Sequence, residues 1–199
     1  KSVDEGVVRG DRAWTAGDLD LALYLYVQAA NLDTTTPAAL LKIGAIHELR
    51  GNLDLARKAF TLALERAPDH AATRERLGFV LLRMGDGEAA AREFTQSAAL
   101  DATRWRAMMG LGLAAEKRRD YSIARVHYDA ALKLERSSAE LWGYSAHVAL
   151  QLGELARASD DARLALDLGE SRIARYVLGD SIARGGDYPG ALAVYLAVM

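Results

Sequence analysis

Four histidines are the first candidates for chemistry in this chain: His47, His70, His127 and His147. No two of them stand at the i, i+4 spacing that places two imidazoles on one helix face for a metal, and no H-E-x-x-H occurs. There are no cysteines, so thiolate metal sites, disulfides and cysteine nucleophiles are excluded together. Gly110-Leu111-Gly112-Leu113-Ala114-Ala115 resembles a phosphate-cradling glycine loop, but no strand-like run precedes it, as a dinucleotide site requires. Serines are plentiful, yet no G-x-S-x-G elbow appears. Asp160-Asp161 reads as a solvated helix face. The residues supply no catalytic, cofactor or metal set, and none is expected.

The elements that carry these residues are helices. The chain has 199 residues, 51% hydrophobic and 26% charged, enough apolar material for a continuous core. Only three prolines occur, and runs of β-branched residues are missing, so the expected fold class is all-α. A net charge of −2 argues against nucleic acid as the main partner, because such binders carry a positive excess to displace counterions. No apolar run approaches the ~20 residues that span a bilayer, so no direct membrane insertion by this segment is expected. The polar start, Lys1-Ser2-Val3-Asp4-Glu5, has no signal-peptide core and no initiator methionine, which reads as an excised or processed segment. Arginine outnumbers lysine 20 to 5, a bias read as that of a GC-rich bacterial genome. The compartment stays open between bacterial cytoplasm and periplasm, with an outer-membrane tether if a lipidated N-terminus has been removed.

A repeat organises the helices. Turn signals begin at 17, 51, 85, 119, 153 and 186, four spacings of 34 residues and one of 33. Each leads to an alanine and then, in five cases, an aromatic: Ala22 and Tyr26, Ala56 and Phe60, Ala90 and Phe94, Ala124 and Tyr128, Ala191 and Tyr195. The fifth has Ala158 and then Ala162 in the aromatic slot. Seven residues before each turn stands a small residue: Gly10, Gly44, Gly78, Gly112, Ala146 and Gly179. Each repeat therefore reads as two amphipathic helices of about 12–14 residues joined by a tight turn. Glycine ends the first helix and Asp or Asn can cap the second. The small residue is expected to face the recurring alanine, with the aromatic filling the space further along.

These residues resemble the tetratricopeptide repeat family over nearly the whole chain. The second repeat is the clearest, with Leu40, Ile43, Gly44, Ala56, Phe60, Ala63 and Pro68 in the signature slots. The resemblance implies a right-handed superhelical solenoid of six antiparallel helix-turn-helix units, one domain over 1–199, with units of about 3–36, 37–70, 71–104, 105–138, 139–171 and 172–199. Gly6 and Arg9 replace large apolar residues, so an irregular first helix is expected. Ala162 and a repeat one residue short predict looser or shifted packing near 160–178. His47 falls in an aromatic slot and is expected to pack. The apolar end Val194, Leu196 and Val198 implies a missing C-terminal region, solvent exposure, or a homo-oligomer formed through the uncapped last helix.

The resemblance also implies that first helices line a concave inner face. Helical periodicity then picks out Trp14 in the first repeat, among Asp4, Val7 and Asp11, and Leu41 in the second. The third supplies Phe79, Leu82 and Arg83, and the fourth Arg106, Met109, Leu113 and Lys117. His147 follows in the fifth and Tyr176 in the sixth. Leu41, Phe79, Leu82, Met109, Leu113 and Tyr176 form an apolar stripe bordered by charge, with alanines and a glycine, Gly143, leaving room between them. That is what a groove for an amphipathic or extended apolar protein segment needs. The competing reading is that these side chains fill the inside of a tight superhelix. The clamp that holds a C-terminal carboxylate in some co-chaperones of the family is not matched. Val7, Asp11, Lys42, Ala72 and Arg76 occupy its positions, and Asp11 repels a carboxylate.

The expected function is a protein-interaction scaffold. In repeat number and composition the chain is similar to bacterial pilotin and pilus-assembly proteins, which escort a secretin or pilus component. The alternatives are a substrate-recruiting domain of a larger enzyme and a self-associating assembly module.

Overall fold

Every first helix ends in the same way. In the computed structural model, which describes residues 3–197 with side chains from Glu5 onward, a residue one or two positions past the end of each first helix takes a left-handed backbone. Five are glycines: Gly17, Gly51, Gly85, Gly153 and Gly186. The sixth is Arg119, at φ 62°. Each turn closes with two backbone bonds. Gly51 N–H donates to the Glu48 carbonyl at 3.1 Å, and Asn52 N–H donates to the His47 carbonyl at 2.9 Å. The same pair recurs at Arg119 and Asp120, which donate to Glu116 and Ala115. This is the Schellman geometry, in which positive φ lets two orphan carbonyls of the helix end find donors. Asp18, Asp86 and Asp187 then cap the following helix, each accepting a backbone N–H at 2.9 Å.

Among the described residues there are twelve helices and no strand, an all-α repeat fold. The chain divides into two compact halves, 1–102 and 103–199. In the first half lie α1 (Val3–Thr15), α2 (Leu19–Leu32), α3 (Ala38–Leu49), α4 (Leu53–Arg66), α5 (Ala71–Met84) and α6 (Gly87–Leu100). In the second half lie α7 (Trp105–Lys117), α8 (Tyr121–Leu134), α9 (Ala139–Gln151), α10 (Leu155–Leu168), α11 (Arg172–Arg184) and α12 (Tyr188–Leu196). Within each half every helix packs on its chain neighbours, and α9 also packs on α11, its counterpart in the next repeat.

The hairpins are held by a glycine laid on an aromatic ring. A Cβ added to Gly44 would come within 2.5 Å of the Phe60 ring, and one added to Gly78 within 2.7 Å of Phe94. Gly10, Gly112 and Gly179 lie as close to Tyr26, Tyr128 and Tyr195. The partner of the small residue is thus the ring, not the recurring alanine. Repeat five obeys the same rule in reverse. Where the ring is replaced by Ala162, the glycine is replaced by Ala146, and both are fully buried in one cluster with Ala149 and Ala158. Glycine and ring are thus replaced together, by two small side chains.

Two further expectations change. α1 is a regular helix, Val3–Thr15. Gly6 and Arg9 stand where Leu40 and Ile43 of α3 are buried in the cluster shared with α2. On α1 Gly6 lies against α2, where an added Cβ would come within 3.1 Å of Ala29 and a large side chain has little room, and Arg9 is exposed. Asp161 is not solvated. It is 7% exposed and accepts from Ser145 Oγ at 2.6 Å, while Arg157 links it to Asp129. Burial raises its carboxyl above the usual range, against the hydrogen bond from Ser145 and the charge of Arg157. Asp160 remains exposed, as expected.

Candidate partner-binding face

The inner-face candidates all lie on first helices. In the first half Trp14, Leu41 and Phe79 are half-buried. Trp14 leans on Tyr26 with ring centroids 6.5 Å apart, and Phe79 meets Phe94 edge-on at 4.9 Å. Their inner edges rest on the rings that hold the hairpins, so they are fixed from below. Leu82 is only 6% exposed and belongs to the packed interior.

Charged side chains tie consecutive first helices of this half together. Lys42 on α3 meets Asp11 on α1 at 2.8 Å. Arg76 and Arg83 on α5 reach Glu48 on α3 at 3.3 and 3.7 Å. Arg83 is therefore committed to Glu48 rather than standing alone at a rim. Asp11 also accepts from the Tyr26 hydroxyl at 2.6 Å. The bonds from Lys42 and Tyr26 hold its carboxyl below the usual range. Burial, then the Asp11 bond, pushes the Tyr26 hydroxyl up.

The second half repeats this arrangement with different residues. Arg106 is exposed, with its guanidinium 5.2 Å from the Trp105 ring centroid, and Lys117 is exposed. Leu113 is half-buried. Met109 is 5% exposed, so it packs instead of lining a groove. Gly143 leaves no room either: a Cβ there would lie 2.9 Å from Ser171 Oγ. His147 Nδ1 lies 2.6 Å from Glu116, and Nε2 lies 3.2 Å from the Gln151 amide nitrogen. The ring is thereby held between Glu116 and Gln151. Glu116 also accepts from the Tyr128 hydroxyl, and Tyr128 stacks on Tyr144 at 5.8 Å. Burial, then the Glu140 charge, raises Tyr144 to about 12. Tyr176 is the most open of the apolar candidates, at 56% exposure, with Ile173 exposed on the same helix.

The carboxylates behind the hairpin tyrosines escape a reading by slot alone, but a signal for them exists. Tyrosine rather than phenylalanine fills the aromatic slot at 26, 128 and 195. Their hydroxyls meet Asp11 and Glu116 in the first two cases, and Asp180 raises Tyr195 after burial does. A tyrosine in that slot calls for an acceptor on the first helix. The side chain of Asp4 and the residue Val198 lie outside the described residues.

No group of three His, Cys, Asp or Glu is placed to hold a metal among the described residues, and no helix there is long and apolar enough to cross a membrane. The fold and this face define a class: helical-hairpin repeat proteins, whose members are in general scaffolds rather than catalysts. Residues 7–71, 76–134 and 145–198 match the tetratricopeptide repeat, and the chain belongs to that family. A human relative, tetratricopeptide repeat protein 7B, is 31% identical over 111 residues, 56% of this chain. The chain spans 13% of that protein's length. Two solved structures share the fold along nearly the whole chain. PilF of Pseudomonas aeruginosa is 17% identical with a TM-score of 0.87, over 98% of this chain and 90% of its own. PilW, a widely conserved type IV pilus biogenesis factor, is 16% identical with a TM-score of 0.88, over 98% of this chain and 91% of its own.

Proposed function

We propose that this chain is a non-catalytic scaffold that takes an apolar or amphipathic segment of a partner protein on its first-helix face. The observation that carries this reading is Tyr176. A large aromatic more than half exposed on a first helix, beside exposed Ile173, offers contact area that packing has not used. Trp14, Leu41, Phe79 and Leu113 add half-buried apolar surface on the other first helices. Leu82 and Met109 are no longer part of the contact set, since a buried side chain gains nothing more from a partner. Arg83 and His147 contribute as fixed polar groups, because their bonds to Glu48 and Glu116 hold them in place.

The likeness to PilF and PilW over almost their full lengths supports a narrower version, an assembly factor of a bacterial pilus or secretion system. A photo-crosslinking residue in place of Tyr176, in the full-length protein in its source organism, tests both levels. The expected result is a discrete crosslinked protein that is absent when the same residue replaces exposed Leu62 on α4. Equal capture from both positions, or none from 176, refutes the first-helix site. Capture of a pilus or secretin component supports the narrower version, and capture of an enzyme's substrate overturns it.

A further inference from the structure

One inter-helix turn stands apart from its counterparts, and it leads into an outer helix with an exposed apolar stripe. We propose that the outer face of α8, with the turn that precedes it, is a second docking surface, fitted to an amphipathic helical segment with acidic residues at one end.

The turn carries the first argument. Five of the six left-handed positions are glycine, which reaches φ near +80° without strain. Arg119 holds the same conformation with a side chain, at an energetic cost that glycine would remove. Its guanidinium has no partner among the described residues, whereas Arg118 beside it is paired with Asp120 at 3.1 Å. Lys117 extends the basic run. The positive charge is felt by its neighbour: burial first, and then Arg118, lowers the proton affinity of His127.

α8 carries the second. Ile123, Val126 and Leu134 are 48, 63 and 48% exposed, with half-buried Ala130 between them. Positions i, i+3, i+7 and i+11 share one helix face. At the position of Val126 the other second helices carry Tyr24, Lys58, Arg92, Asp160 and Ala193, all exposed, so the outer wall there is solvated. Valine on a solvent face brings neither solubility nor good helix propensity. Arg125 and Asp129 beside the stripe are engaged elsewhere, with Glu154 and Arg157. The stripe spans about 16 Å at the helical rise, three turns of a partner helix. The basic turn at the N-terminal end of α8 sets the charge that such a partner must bring, and the helix dipole favours an anion at the same end.

The test is fluorescence anisotropy of the full chain. The probe is a fluorescein-labelled amphipathic Leu/Ala/Glu helix with three glutamates at one end, beside a counterpart with three lysines there. The acidic-ended probe is expected to bind on the order of 10-fold tighter. Ile123→Gln with Val126→Gln should weaken it about 10-fold, and Arg119→Gly about 5-fold while raising Tm by about 2–4 °C. Arg119→Lys should keep the affinity. Tyr176→Ala, on the first-helix face, should leave the preference for the acidic-ended probe unchanged. The outcomes that overturn the proposal are equal binding of both probes, an Arg119→Gly chain with unchanged affinity, or probe binding lost in Tyr176→Ala. The last would place the probe on the first-helix face and leave that reading standing. A concentration-dependent mass abolished by the α8 substitutions would also overturn it, by showing a second copy on the stripe.

Discussion

Single residues set the response of this protein to acid. His47 and His127 are both held below the usual histidine value, by burial first and then by Arg50 and Arg118 respectively. His47 Nδ1 is buried without a hydrogen-bond partner among the described residues, as expected of a ring that packs in an aromatic slot. A depressed histidine binds its proton more readily in the unfolded chain. Its contribution to stability is complete above the unfolded value of about 6.5 and is lost as pH falls through the folded one. Asp161 works in the opposite sense. Its carboxyl is raised, so its contribution is complete below the unfolded carboxylate range and is lost as pH rises. The histidines govern the interval between pH 7.5 and 5.5. Tm should fall across it, and His47→Phe with His127→Gln should remove at least half of the fall. A pH-independent Tm in the parent chain would contradict this assignment, and thermal melts followed by circular dichroism decide it.

At the scale of the hairpin, glycine and ring are one unit. Gly44→Ala drives a methyl into the fully buried Phe60 ring and should cost about 1–3 kcal/mol. Phe60→Ala empties the same space and should cost about 3–5 kcal/mol. The double substitution recreates the Ala146–Ala162 pairing of repeat five, so it should be less destabilising than the sum by about 1 kcal/mol or more. Strict additivity in denaturant unfolding would show that the pairing is coincidental. This coupling explains what was legible in the sequence. Turn glycines, small residues and rings are local and periodic, so a count of spacings locates them. Leu82 and Met109 were misread because an unused position on one helix says nothing about what the neighbouring helices cover. Asp161 was misread because a two-residue acidic run looks solvated until Ser145 arrives from another helix.

At the scale of the whole molecule, the chain behaves as two sets of three hairpins, each with its own core. In the first half the cluster around Tyr26, Leu40, Ile43 and Ala63 joins α1 to α4, and a second around Phe60, Leu77 and Val80 brings in α5. In the second half Ala146, Leu150, Ala162, Val177 and Leu178 join α9 to α11. Repeat proteins draw their stability from nearest-neighbour stacking, and about three repeats suffice for a cooperative fold. Polar ties reinforce each half locally. Arg66 donates to the carbonyls of Asp33, Thr36 and Ala30, knitting the α2–α3 loop to α4. In the second half Arg157 joins Asp129 on α8 to Asp161 on α10. Residues 1–102 and 103–199, produced separately, should therefore each be helical by circular dichroism and unfold in one cooperative thermal transition. A half that is unfolded or melts without a transition would show that its three hairpins do not suffice. If residues 103–199 fold alone, the α8 surface and Tyr176 are both present on them, and the acidic-ended probe should bind this half with the affinity of the full chain.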